Sequence, residues 1–176
     1  MQAIVQSPPR TILEVYKMLP EGTRAELIEE TLYMSPAPTL DHQDIVVSLS
    51  AAMFTFISKK KAGKLYVAPV DVYLDRKNAF QPDIVFVSNK NKSILKKDGI
   101  YGAPDLVIEV LSPGTKNFDL SKKKKVYESS GVKEYWVINP QNKECLGFRL
   151  DEGSFVEFGK DKGKLNSPLL KSTFKF

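Results

Sequence analysis

The run "APDLVIEVLSPG" from Ala103 to Gly114 sets a glutamate, Glu109, between Leu106, Val107 and Ile108 on one side and Val110 and Leu111 on the other. A carboxylate buried in apolar surroundings is costly unless it is neutralised or paired, so a positive group belongs near it. Two further acids follow prolines at the head of apolar runs, Asp83 in "QPDIVFV" and Asp105 in "APDLVIEVL". Short runs rich in β-branched residues read as central strands buried on both faces. Strand periodicity puts Asp105, Val107, Glu109 and Leu111 on one face and Leu106, Ile108 and Val110 on the other. Asp105 and Glu109 are then about 13 Å apart at roughly 3.3 Å per residue, too far to share one ion, and Asp105 reads as a turn or strand-start residue. Asp83, on a neighbouring strand, can approach Glu109 more closely. Two carboxylates from adjacent strands, joined by a backbone carbonyl such as that of Val110, form a hard-cation site suited to Mg²⁺ or Mn²⁺. On the residues alone, strand-start turns or a structural salt bridge account for Asp83 and Glu109 equally well.

The lysine run at Lys122 to Lys125 sorts by helix geometry. A helix is expected from Leu120 to Ser129, with Asp119 or Ser121 as its cap and Gly131 as its stop. Asp119, Lys123 and Tyr127 fall at i, i+4 and i+8, and Leu120 and Val126 flank Lys123 at i−3 and i+3. Lys123 is therefore on the sheet-facing stripe. Lys122 and Lys125 point outward, and Lys124 lies on the border. An inward lysine over a sheet that carries an inward glutamate makes an ion pair or a catalytic pair with Glu109. Asp119 is either a helix cap or the group that orients Lys123. His42, beside a helix start, is a cap, a hydrogen-bonded core residue or a direct participant in chemistry. Tyr127 and Trp136 read as core residues.

The elements that must hold these groups follow from punctuation and period. "TILEVYKML" reads as a short helix over residues 11–19, capped by Thr11 and stopped by Pro20, and "RAELIEETLYM" alternates as one edge strand. From Thr39 or Asp41 a long helix carries Ile45, Leu49, Ala52, Met53 and Phe56 on one stripe and ends at Lys59 to Lys61 and Gly63. "KLYVAPVDVYL" is a strand, "SNKNKSILKKDGIYGA" a loop or short surface helix, "KEYWVINPQNKECLGFRL" a hairpin around Asn139 to Asn142, and "SFVEFG" a further strand. The order predicts an α/β fold, a central mixed sheet flanked by helices. At 176 residues the chain suits a single domain over 1–176, with an N-terminal helix and strand at 11–38, a core at 39–140 and a hairpin at 133–158.

With 42% hydrophobic and 27% charged residues the chain is a globular protein and not a disordered one. Its longest apolar runs break well short of a membrane span, so no membrane partner is expected. One cysteine, Cys145, and one histidine, His42, exclude an internal disulfide and a zinc site built from these residue types, and the start lacks a secretory signal. A reducing cytoplasm is the expected compartment. A net charge of +5 permits a polyanionic partner without demanding one. Lysines cluster at Lys59 to Lys61, Lys90 to Lys97, and Lys116 with Lys122 to Lys125. Any one cluster alone reads as a solvated surface.

Taken together, "ELI", "YMSPAPTLDHQDI", "VDVYL", "QPDIVFV", "APDLVIEVLSPGT" and "DLSKKKKVYESSGVKEYWVINP" resemble the restriction-endonuclease-like family within the PD-(D/E)xK nuclease superfamily. The resemblance covers most of residues 24–140. It implies a restriction-endonuclease-like core and a metal-dependent endonuclease that hydrolyses phosphodiester bonds of nucleic acid, with DNA the expected substrate. By that resemblance Asp83 and Glu109 are the metal ligands, for Mg²⁺ or Mn²⁺, and Glu26 is the first-region acid that joins them. Leu111 stands where the superfamily pattern has its lysine, and Lys123 takes that part from the following helix. Residues "EET" at Glu29 to Thr31 stand where the family commonly has acid, glycine, acid, and His42 with Gln43 form a recurring pair. Lys116, Lys122 and Lys124 are the expected contacts to the nucleic-acid backbone. Cleavage of both strands would call for a homodimer with two sites. The alternatives are a nucleic-acid-binding module of the same fold without catalysis, or an interaction protein in which Lys123 merely pairs with Glu109.

Overall fold

The computed structural model describes residues 8–112 and 119–176, and within the second stretch the side chains from Ser121 onward. Helix α1 (Ile12–Lys17) begins at Thr11, whose hydroxyl accepts the Glu14 N–H. Strands β1 (Ala25–Ile28) and β2 (Thr31–Met34) follow as an antiparallel hairpin, where alternation predicts one continuous strand. The chain reverses at Glu29 and Glu30, which take φ of 49° and 63°. Such a turn usually draws on Gly or Asn. Here the neighbouring strand connection supplies the support: Asn78 Oδ1 accepts the Glu29 N–H at 2.9 Å and the Lys77 carbonyl accepts that of Glu30 at 3.0 Å.

Helix α2 (Leu40–Lys60) is capped by Thr39 and ends in a left-handed Lys61. Ile45, Leu49 and Met53 are buried on its predicted stripe, with Ala52 and Phe56 packed beside them. The next predicted strand is two: β3 (Gly63–Val67) and β4 (Val72–Tyr73) belong to different sheets, because the chain turns between them at Ala68 to Asp71. Strands β5 (Ala79–Phe80) and β6 (Ile84–Ser88) come next. The segment read as a loop or short helix holds both a 3₁₀ turn (Asn89–Ile94) and a hairpin, β7 (Leu95–Lys96) and β8 (Gly99–Tyr101). Strand β9 (Leu106–Val110) is buried at every position. A π-helical turn (Asp119–Lys123) leads into α3 (Lys124–Ser130), then β10 (Glu134–Ile138), β11 (Glu144–Asp151) and β12 (Ser154–Lys162). The C-terminal hairpin, β13 (Lys164–Ser167) and β14 (Ser172–Lys175), has no counterpart in the sequence reading. No helix is long and apolar enough to cross a membrane among the described residues.

The main sheet has the order β12-β11-β10-β9-β6-β3 and is antiparallel except for the β9/β10 pair. A parallel pair needs a crossover, and α3 belongs to it. One face, with Ile84, Phe86, Leu106, Ile108, Val110, Trp136 and Ile138, packs on α2 and on Leu165 and Phe174 of the last hairpin. The reverse face, with Val107, Tyr135, Val137 and Phe148, packs on Tyr127 of α3 and on Ile28 and Phe80. Those two belong to the second sheet, β2-β1-β5-β4-β8-β7. The chain is thus a mixed α/β fold in which Glu109 lies between the main sheet and the layer formed by α3 and the second sheet.

Trp136 is fully buried, and its indole lies against two glycines, Gly147 of the adjoining β11 and Gly159 of β12 beyond it. A Cβ at Gly147 would sit 2.6 Å from its ring, whereas one at Gly159 would sit at 3.3 Å. Overpacking a core costs about 1–3 kcal/mol, so Gly147→Ala should lower the unfolding free energy by that amount, read as a lower urea midpoint at unchanged slope, and Gly159→Ala by clearly less. Fluorescence of this sole tryptophan reports both.

Asp105 is buried at the head of β9, where it accepts the Ser88 N–H at 2.7 Å and an ion pair from Lys133. Burial pushes its carboxyl up, but the Lys133 ammonium and the Ser88 amide outweigh burial and hold it below the ordinary carboxylate range. The folded protein therefore binds this proton less readily than the unfolded chain. Its contribution is complete above the unfolded value of about 3.9 and is lost as pH falls through the lower folded value. Asp105→Asn should lower stability at neutral pH by about 1–3 kcal/mol and flatten the acid limb of the stability profile, read as urea midpoints at successive pH values.

Candidate active site

Register brings the carboxylates together. Pairing of Ile84 with Ile108 and Val85 with Val107, continued one pair outward, sets Asp83, immediately before β6, opposite Glu109 of the adjacent β9. Directly opposed residues of an antiparallel pair carry their side chains on one face. Asp83 Oδ2 also accepts the Val110 N–H at 2.8 Å, which ties the end of β6 to the end of β9. Glu26 enters from β1 of the second sheet, where its Oε1 accepts the Gln81 N–H at 2.9 Å.

Lys123 is the group that joins the layers. Its helical phase turns it inward as predicted, and its side chain is only 4% exposed. The ammonium lies 2.8 Å from Glu26 Oε2 and 3.1 Å from Glu109 Oε1, with the Phe80 ring centroid 5.7 Å away. Tyr127, one helical turn on, donates its hydroxyl to the same Glu109 Oε1 at 2.8 Å. Burial, and after it the charges of Glu109 and Glu26, hold that phenol far above its ordinary range, so it stays a donor. His42, on the first turn of α2, lies with Nε2 3.2 Å from Asp83 Oδ2.

Glu26, His42, Asp83, Glu109 and Lys123 all line one cavity of about 660 Å³. Its further walls are Arg24, Ser112 and the apolar side chains of Val46, Val47, Val67 and Pro69. A second cleft of about 460 Å³ lies beyond Gln81 and Pro69, which border both. Three carboxylates against one buried ammonium leave the centre of the site short of positive charge, and such a deficit suits a hard divalent cation. No three His, Cys, Asp or Glu side chains among the described residues converge as a ready-made cage. That is compatible with Mg²⁺, which keeps several waters and takes one or two carboxylates together with substrate oxygens. Asp83 and Glu109 are the pair that could hold it.

The remaining expected residues stand elsewhere. Lys122 is exposed and ion-paired with Glu29 at 3.0 Å, and the Lys124 ammonium sits 3.8 Å over the Phe148 ring; neither lines the cavity. Lys116, together with Pro113 to Thr115, lies outside the described residues. Asp105 is held by Ser88 and Lys133, apart from the cavity. Sequence reasoning missed Tyr127 as a partner of Glu109 and His42 as a partner of Asp83. The i+4 spacing from Lys123 to Tyr127 carried the first signal, since it gives both polar ends the same inward aim.

The family model of Uma2, described as a putative restriction endonuclease, matches residues 12–173. A comparison with curated proteins found no match. Among solved structures, the chain is similar to a putative nuclease belonging to DUF820 from Anabaena variabilis, with a TM-score of 0.74 and 18% identity over 93% of this chain and 92% of that one. At that identity the likeness speaks for the fold, and the family match over nearly the whole chain speaks for descent. The chain belongs to the Uma2 family of putative restriction endonucleases.

Proposed function

We propose that the protein is a divalent-metal-dependent endonuclease that hydrolyses phosphodiester bonds of DNA, with Asp83 and Glu109 holding Mg²⁺ or Mn²⁺. The observation that carries the reading is the meeting of Glu26, Asp83, Glu109 and Lys123 at one cavity. A cation bound there would polarise the scissile phosphate and lower the pKa of a water. Asp83 is aimed by the Val110 amide and His42, and Glu109 by the Tyr127 hydroxyl. Lys123 faces the charge that builds on the phosphate, at a buried position where such an interaction is strong. Glu26 holds the Lys123 ammonium from the other side and is the further carboxylate available to a second ion. Lys116, Lys122 and Lys124 would contact the backbone of the strand outside the cavity. The cytoplasm as compartment and a homodimer for cutting both strands remain parts of this reading.

Plasmid cleavage with Mg²⁺ or Mn²⁺ tests it. Asp83→Ala and Glu109→Ala should each lower the rate by at least about 100-fold, the scale on which loss of a principal electrostatic group acts. Metal-dependent cutting that survives both substitutions would end the assignment.

The bridge from Glu26 through Lys123 to Glu109 also favours a second reading, a structural ion-pair network without catalysis. Lys123→Met leaves two buried carboxylates without their cation and should cost about 3–5 kcal/mol in urea unfolding. On the metal-dependent reading, Mn²⁺ raises the melting temperature of both wild type and this variant. A melting temperature indifferent to Mn²⁺ in both proteins would favour the structural reading.

A further inference from the structure

His42 is unusual in how its imidazole is satisfied. The residue is 5% exposed on the first turn of α2, and its backbone N–H is used by the Thr39 cap. Nε2 reaches Asp83, but Nδ1 is the one buried side-chain polar atom among the described residues with no hydrogen-bond partner. A buried polar atom left unpaired costs stability, and buried polar groups normally find partners. The neighbouring buried positions of α2, Ile45 and Val46, are plain apolar packing. Packing alone would be served as well by a side chain of that kind at residue 42. What the imidazole adds is a polar ring nitrogen set 3.2 Å from one carboxylate oxygen.

That oxygen is Oδ2 of Asp83, which already accepts the Val110 N–H. Oδ1 of Asp83 accepts nothing among the described residues. With an amide hydrogen bond from β9 and a 3.2 Å polar contact from α2 on the same oxygen, rotation of the carboxylate would give up both. We infer that His42 is a positioning residue for the metal-dependent reaction: its Nε2, in contact with Oδ2 of Asp83, and the Val110 amide, hydrogen-bonded to the same oxygen, together hold that oxygen, so that Oδ1 is the one presented to a hard divalent cation. The inference rests on the metal-dependent reading proposed above. Groups that orient a metal ligand characteristically change metal affinity and not only folding.

Mn²⁺ titrated calorimetrically into the intact chain tests this, with His42→Gln and His42→Met as the variants. Both replacements are unbranched and of similar volume, and only the glutamine amide can donate to Asp83. His42→Met should weaken Mn²⁺ binding by about 10- to 100-fold, and the Mn²⁺ midpoint for plasmid cleavage should move by the same factor, while His42→Gln stays within about threefold of wild type. Far-UV circular dichroism and melting of the metal-free proteins show whether each is folded. Equal weakening in the two variants would mark the imidazole as packing and overturn the inference. Wild-type affinity in His42→Met would overturn it and leave the metal-dependent reading standing. A wild-type protein that takes up no Mn²⁺ would overturn both.

Discussion

Glu109 sits on a strand buried along its whole length, with neighbours on both sides, and a carboxylate there must be met by positive charge or hydrogen-bond donors. Much of the architecture around the cavity answers that requirement. The parallel pairing of β9 with β10 demands a crossover, and that crossover delivers Lys123 and Tyr127 to the face on which Glu109 points. The second sheet closes over the same face and brings Glu26 to the other side of the ammonium. One lysine therefore joins the main sheet, the crossover helix and the second sheet. Its charge is shared between two buried carboxylates, and removing it would unbalance all three elements at once.

The departure at Leu111 has a structural counterpart. Leu111 packs in the cluster with Phe80, Tyr127 and Val132, so the position two residues after Glu109 serves the core. An ammonium placed there would have to be desolvated among aromatic rings. Coming instead from the π-helical turn that leads into α3, Lys123 reaches Glu109 from above the sheet and also reaches Glu26. The same migration explains the role of Tyr127, because a helix that supplies one inward polar end also supplies a second one turn later.

What was legible in the sequence was mostly local period and face. The stripe of α2, the buried strands around Asp83 and Glu109, and the inward phase of Lys123 all follow from spacing within one element. What failed depended on a neighbour. Residues 24–34 alternate like one strand, and their reversal at Glu29 and Glu30 is held by Asn78 and Lys77, almost fifty residues away. Residues 64–74 carry a continuous apolar pattern, yet β3 and β4 are claimed by two different sheets. The partners of a buried acid are likewise tertiary facts: period shows that Glu109 points inward, and only the packed layers decide that Tyr127 as well as Lys123 meets it. For Asp83 the signal was weaker still, since a histidine at a helix start has several ordinary uses.

The charge balance of the cavity bears on how a nucleic acid could enter it. Its walls carry Glu26, Asp83 and Glu109 against Arg24 and Lys123, so carboxylates outnumber cations although the whole chain is positive. A phosphodiester approaching such a site meets net repulsion, and the low dielectric of a buried pocket strengthens it. Lys122 and Lys124 do not correct this, because one is paired with Glu29 and the other lies over Phe148, outside the cavity. On the metal-dependent reading, a divalent cation between Asp83 and Glu109 would reverse the local sign before any chemistry began. Metal would then govern substrate binding as well as turnover, and the apolar wall of Val46, Val47 and Val67 would be left to contact sugar and base while the polar floor holds phosphate.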